Sequence, residues 1–315
     1  MAQENWTVVT EFVLEGFTDH PDLQVPLFVL FMLIYILTMV GNLGIIAVVL
    51  LDSQLHTPMY FFLGNLSFLD LCYSSVVTPE LLLTLSSGRR TISYVGCFLQ
   101  LHFYVAFAVV ECYLLAVMAY DRSLAICHPL RYPLLVSRQL CASLLAGSYV
   151  VGFVNSSLHV GFALQMSFCG HRVLDHFFCD GPPLLKLACS DTRLSQVLVF
   201  VLGGFNGVAT VSIILVSYGH ILFTILRMGS VSGRHRAFET CGSHLVVVTI
   251  FYGTLFFTYL QPSSSHSLGR DKIVSVFYAV VTPMLNPFIY SLRNQEVKSA
   301  LKRTVRRRFL CLLQG

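Results

Sequence analysis

Asp70 and Glu111 each place a carboxyl group inside a long apolar stretch of the chain. An ionised carboxylate in an apolar solvent is costly unless a cation, a proton or hydrogen-bond donors neutralise it. Two readings fit the pair: a shared sodium-ion or proton site, with Asn42, Ser67 or Asn286 as helpers, or a neutral hydrogen-bonded pair that ties helices together. Arg122 beside Asp121, at the end of another apolar stretch, reads on its own as an arginine that snorkels to an interface. Cys97, Cys169, Cys179 and Cys189 allow two disulfides in any of three connectivities. Cys72, Cys112, Cys127, Cys141, Cys241 and Cys311 read as ordinary thiols. No nucleophile stands beside a base, and His171 with His176 near the cysteines is a weak metal motif, so no enzyme is expected.

These groups must be carried by membrane-crossing helices. Of the 315 residues 55% are apolar and only 11% charged, far below the roughly 25% of a soluble globular domain. Residues 23–51 contain no charged side chain, longer than the roughly 20 residues that cross a bilayer. Further apolar stretches give spans at about 58–86, 94–122, 140–165, 196–226, 236–260 and 272–292. The expectation is an all-α membrane protein: a 1–22 tail, a seven-transmembrane helix bundle over 23–292 with a long 166–195 loop, and a 293–315 amphipathic helix and tail. Cys97 and Arg122 are 25 residues apart on one helix, about 37 Å, so they belong to opposite faces of the membrane.

Thirteen of the 20 Lys and Arg fall on the side of Arg122 and the C-terminus, and the 1–22 tail has five acids and none. The positive-inside rule therefore puts the N-terminus outside and the C-terminus in the cytoplasm. The polar start is no cleavable signal peptide, so the first span inserts the chain. Of the sequons, Asn5-Trp6-Thr7 is in the outer tail, whereas those at Asn65 and Asn155 fall inside spans. In the tail Val297, Leu301 and Val305 form a stripe among basic residues suited to anionic lipid, with Cys311 a palmitoylation candidate.

A third span ending Met118-Ala119-Tyr120-Asp121-Arg122 is joined by Gly41-Asn42, Leu55-His56-Thr57-Pro58-Met59-Tyr60, Leu66-Ser67-Phe68-Leu69-Asp70, Thr240-Cys241-Gly242-Ser243-His244 and Pro283-Met284-Leu285-Asn286-Pro287-Phe288-Ile289-Tyr290. In this order the motifs resemble odorant receptors of the tetrapod-type group, within the rhodopsin-like G-protein-coupled receptors, over about residues 10–305. Ser123, Glu239 and Tyr149 depart from the family's usual Tyr, Ser or Thr, and Trp. The resemblance implies disulfides Cys97–Cys179 and Cys169–Cys189. It favours the ion reading of Asp70 and Glu111, stabilising a resting state. It makes Arg122 a switch that pairs locally at rest and meets the G protein on activation, with Tyr218 and His244 as contacts. Pro287 interrupts the seventh span's hydrogen-bond ladder, with Asn286 able to satisfy freed backbone groups and a hinge near Tyr290.

For the ligand, Tyr104, Val105, Ala108, Val109 and Cys112 form one helical stripe, and Tyr252, Leu255, Phe256 and Tyr259 another. Leu202, Asn206, Tyr278 and Ala279 resemble family positions that complete the cavity, with His159 at its edge. With no other charged group expected in this outer half, the ligand is a small volatile odorant, mostly apolar, with one oxygen for Tyr104, Asn206 or Tyr259 to bond. The partners implied are a stimulatory olfactory-type heterotrimeric G protein, which raises cyclic AMP, and membrane lipids; no nucleic acid and no resident cofactor beyond sodium is expected. A transporter would show internal repeats, and none is visible.

Overall fold

The computed structural model describes residues 9–17, 21–88, 90–259 and 268–313. In chain order these form β1 (Glu11–Leu14), α1 (Pro21–Leu51), a 3₁₀ turn (Ser53–Leu55), α2 (Pro58–Ser87), β2 (Thr91–Ser93), α3 (Tyr94–Cys127) and α4 (Tyr132–Leu135). Then follow α5 (Arg138–Ala163), β3 (Val173–Leu174), α6 (Gly181–Leu187), α7 (Arg193–Arg227), α8 (Val231–Tyr259), α9 (Leu268–Val276), a π-helical turn (Phe277–Val281), α10 (Thr282–Arg293) and α11 (Gln295–Leu313). Among the described residues six helical segments are long and apolar enough to cross a membrane: Asp22–Leu51, Pro58–Ser87, Tyr94–Cys127, Arg138–Ala163, Arg193–Arg227 and Lys272–Ser291. The shorter apolar stretch Cys241–Phe256 of α8 makes the seventh helix of the bundle.

Helix α3 is the axis, packed against α2, α5, α7 and α8. Leu114, Leu115, Ala116 and Ala119 are almost wholly buried along it. Gly152 lets α5 come close, because a Cβ there would lie 2.7 Å from the Ala106 carbonyl. Outward faces carry large apolar side chains such as Val40, Phe200, Phe205 and Leu215, which only a lipid solvent accommodates in such numbers.

Local signals set the helix ends. Ser93 and Ser137 accept hydrogen bonds from the Gly96 and Leu140 amides, capping α3 and α5. Ser230 does the same for Gly233, so α8 starts at Val231, inside the polar cluster that reads as a loop between the fifth and sixth spans. The N-terminal segment is also more ordered than a tail: β1 is the central strand of a three-stranded sheet, antiparallel to β2 (Phe12 opposite Ile92) and parallel to β3 (Val13 opposite Val173). Alternation along β1 buries Phe12 and Leu14 against Cys97, Phe168 and Cys179.

Candidate functional site

The sheet end of the bundle is closed by the 166–195 segment. Disulfides join Cys97 to Cys179 and Cys169 to Cys189, with Cα atoms 5.3 and 6.1 Å apart. The Cys179 amide donates to Gln100 Oε1 at 2.9 Å, and Gln100 Nε2 donates to the Val76 carbonyl at 2.9 Å, fixing the segment to α3 and α2. Phe177 and Phe178, beside the disulfide, are driven into the bundle. The Phe178 ring lies 4.9 Å from that of Tyr104, which stacks on Tyr73 at 5.3 Å and is 6.0 Å from Tyr278. Tyr104, Tyr278 and Ala279, with half-buried Val105 and Ala108, thus share one aromatic cluster with Tyr73, Phe177 and Phe178. The last three are not legible as site residues from their own stripes. Their signals are weaker: adjacency to a disulfide cysteine for the phenylalanines, and for Tyr73 a place one helical turn from Asp70.

The other expected ligand residues are not gathered there. Cys112, Tyr252 and Leu255 belong to a second, deeper cluster. The Tyr252 hydroxyl donates to Thr210 Oγ1 at 2.8 Å and reaches the Cys112 carbonyl at 3.3 Å. Asn206 spends its polar groups inside the bundle, accepting from Tyr113 at 2.9 Å and donating to the Leu202 carbonyl at 2.7 Å. His159 Nδ1 is 2.9 Å from the Asn155 carbonyl of its own helix. Val109 is half-buried outside the outer cluster. Phe256 is 45% exposed, because the inward face of α8 runs through Val247, Phe251, Tyr252 and Leu255 and turns Phe256 aside. The Tyr259 side chain and Asn5 lie outside the described residues.

One expectation about charge is corrected. Asp180 reaches the outer cluster: its carboxylate accepts from the Tyr278 hydroxyl and from the Gly181 amide at 2.8 Å. The Cys97–Cys179 bond draws the next residue down onto the helix ends, which no count of charges per loop foresees. Burial pushes the Asp180 carboxyl up to about 6, against the bonds it accepts. Nearby, Lys272 pairs with Asp175 at 2.7 Å and approaches Glu15 at 3.9 Å. His176, stacked on Phe177, places Nε2 3.1 Å from Ser275 Oγ, and burial together with Lys272 holds its imidazole down at about 3.

Midway along the bundle Asp70, Glu111 and Asn286 are all but completely buried. Asn286 Nδ2 donates to both Asp70 oxygens, at 3.1 and 3.0 Å. Glu111 is near enough for its charge to act on Asp70, and its Oε1 and Asn286 Oδ1 have no hydrogen-bond partner among the described residues. A group of oxygen atoms with unused lone pairs suits a hard cation such as sodium or a shared proton. Among the described residues no cluster of three or more His, Cys, Asp or Glu is placed to hold a metal.

In span seven helix α10 continues through Pro287, which cannot donate to the Pro283 carbonyl, and a further irregularity is the π-helical turn Phe277–Val281 that ends just before Thr282. Asn286, expected to satisfy the freed backbone, is committed to Asp70. Asn42 does so instead, donating to the Pro283 carbonyl at 3.0 Å.

At the opposite end Asp121 accepts from the Tyr132 hydroxyl at 2.7 Å. Adjacent helical residues point in different directions, and among the described residues Arg122 forms no direct ion pair with Asp121. Arg122 is buried where its charge acts on Asp121 and also on Tyr218, Cys241, His244 and Tyr290. His244 Nε2 lies 3.1 Å from the Leu115 carbonyl, which can only accept, so Nε2 carries the proton; Nδ1 then accepts from the Tyr218 hydroxyl at 2.7 Å. Helices α3, α7 and α8 meet at this imidazole. Ser123 is buried, and Tyr149 packs beside Phe153. Helix α11 is fastened by Arg303 to Asp52 at 2.7 Å and by the Tyr60 hydroxyl to Glu296 at 2.6 Å. It buries Val297 and Ala300, leaving Leu301 42% exposed, so the buried face is rotated from the expected stripe.

Residues 31–308 match the olfactory receptor family. The chain is 55% identical to human "Olfactory receptor 5B12" over 302 residues, 96% of each protein. It is 57% identical to human "Olfactory receptor 5B21" over 298 residues, 95% of this chain and 96% of that one. With mouse "Olfactory receptor 5G9" the identity is 53% over 305 residues, 97% of each. Among solved structures, squid rhodopsin superposes with a TM-score of 0.71 at 16% identity, covering 97% of this chain and 93% of that one.

Proposed function

The chain belongs to the olfactory receptor family, and we propose that it recognises small, mostly apolar, neutral odorants and activates a stimulatory olfactory-type heterotrimeric G protein, raising cyclic AMP. It is a multi-pass membrane receptor and not an enzyme. The observation that carries the ligand reading is the aromatic cluster of Tyr73, Tyr104, Phe178 and Tyr278 beneath a disulfide-held segment, an apolar setting with few polar groups. In the reading proposed here the N-terminus is extracellular, the cluster opens outward, and Arg122 with Tyr218 and His244 answers to the G protein in the cytoplasm. The distribution of basic residues supports this orientation.

The test is a cyclic AMP reporter in cells expressing the chain with an olfactory-type stimulatory G protein. Apolar odorants raise cyclic AMP in a dose-dependent way, Tyr104→Ala shifts their potency, and Arg122→Ala abolishes the response without loss of surface protein. A surface-expressed chain that answers no odorant, or an Arg122→Ala variant that signals normally, refutes the proposal.

We further propose that Asp70, Glu111 and Asn286 hold a sodium ion that favours the resting state. The unpartnered Glu111 Oε1 and Asn286 Oδ1 support it. A bound cation would supply the positive charge that two buried carboxylates otherwise lack.

A further inference from the structure

The outer aromatic cluster has an unequal supply of hydrogen-bonding groups. The Tyr73 and Tyr104 hydroxyls bond each other, and the Tyr278 hydroxyl lies 3.2 Å from Ser275 Oγ and also serves Asp180. The Tyr278 hydroxyl, the donor next to Asp180, is therefore engaged. Asp180 differs, because a carboxylate offers about four lone-pair directions and among the described residues the Gly181 amide and the Tyr278 hydroxyl are the donors that occupy them. Among the described residues no Lys or Arg forms an ion pair with Asp180, since Lys272 is taken by Asp175 and Glu15. The carboxylate is also held in place: it follows Cys179, which is bound to Cys97 and Gln100, and it caps α6. What this corner can still accept is a donated proton.

We infer that Asp180 is a specificity-determining residue, taking the polar head of an apolar ligand that donates a hydrogen bond, as a hydroxyl does, and discriminating against isosteres that only accept. This deepens the odorant reading of the same site and rests on it. The apolar body of the ligand lies against Tyr104, Phe178 and Tyr278, and its hydroxyl donates to the free side of the carboxylate. Tyr278 acts as a positioning residue, fixing the carboxylate from the wall opposite the segment.

The experiment compares primary alcohols with their methyl ethers on the same carbon skeletons, with cyclic AMP as readout and surface protein measured in parallel. Asp180→Asn keeps an N-cap side chain and its size while replacing the carboxylate by an amide that donates as well as accepts. Alcohols are expected to be more potent than the ethers on the wild-type chain, and Asp180→Asn to cost the alcohols about tenfold or more while shifting the ethers little. Tyr278→Phe is expected to narrow the alcohol preference at unchanged surface level, a readout that mere loss of folding does not produce. Ethers as potent as alcohols, or equal losses for both series in Asp180→Asn, overturn the inference while leaving the odorant reading intact. A surface-expressed wild-type chain that answers neither series overturns both.

Discussion

The Asn42 side chain donates at 3.0 Å to the Pro283 carbonyl, the acceptor that Pro287 leaves without its helical amide. The neighbouring Gly41 permits this approach, because a Cβ there would lie 2.9 Å from Pro287 Cγ. Gly41-Asn42 and Pro287 are thus one device, in which the first span repairs the ladder of the seventh. Asn42→Leu is expected to lower the unfolding free energy of the detergent-solubilised protein by about 1–3 kcal/mol, the cost of an orphaned buried group. In a Pro287→Ala background the same change should cost much less, because the new amide at 287 satisfies Pro283. Thermal unfolding of the four variants checks this, and strictly additive losses would refute the pairing.

His244 satisfies two partners with one tautomer, so its neighbours are coupled. Tyr218→Phe leaves the buried Nδ1 without a donor and is expected to cost about 1–3 kcal/mol in thermal unfolding. Adding His244→Phe should cost less than the sum of the two single changes, since the orphaned nitrogen disappears with its ring. Because the imidazole also holds α8 to the Leu115 carbonyl of α3, His244→Phe is expected to change ligand-independent cyclic AMP whereas Tyr218→Phe changes it less. Equal basal signalling in both variants and the wild type would remove His244 from the switch.

Much of this arrangement is readable in the chain. Long charge-free runs set the helices, because a bilayer leaves the backbone no hydrogen-bond partner but itself. Asp70 and Glu111 mark themselves by their cost in lipid. What escapes is contact between distant segments: that Asn42 rather than Asn286 serves Pro283, that Tyr132 rather than Arg122 meets Asp121, and that β1 is a central strand. Helical stripes also give a face only to within one residue, which is why Phe256 turns out while Leu255 turns in. Asp180 is the sharpest case, since an acid not expected in the outer half is carried to the aromatic cluster by the neighbouring disulfide.

If Asp70, Glu111 and Asn286 hold sodium, the ion stabilises whichever state binds it. Thermal unfolding in sodium chloride should then exceed that in an equal concentration of potassium or choline chloride, and the difference should vanish in Asp70→Asn and Glu111→Gln. Sodium is also expected to lower basal cyclic AMP in membranes of the wild-type chain. Indistinguishable melting in the three salts would favour the alternative, a neutral pair held by protons and hydrogen bonds alone.

Opposed titrations govern the 166–195 segment. His176 is held down at about 3 from an ordinary 6.5, so an opened segment binds a proton that the closed one refuses. Its contribution therefore falls as pH drops below 6.5. Asp180 is raised to about 6 from 3.8, so the closed segment binds the extra proton between those values and gains stability as pH falls through them. Asp175, kept below 3.8 by Lys272 although burial opposes this, changes only under that window, and Glu15 is the other acid facing Lys272. Hydrogen exchange of the segment between pH 6.5 and 3.8 should show the two slopes partly cancelling in the wild type. His176→Asn removes the acid-induced loss and leaves protection rising toward low pH; Asp180→Asn removes the compensation and steepens the loss. Parallel profiles for all three proteins would mean that neither group titrates differently when the segment opens, and that both reach water in the closed receptor.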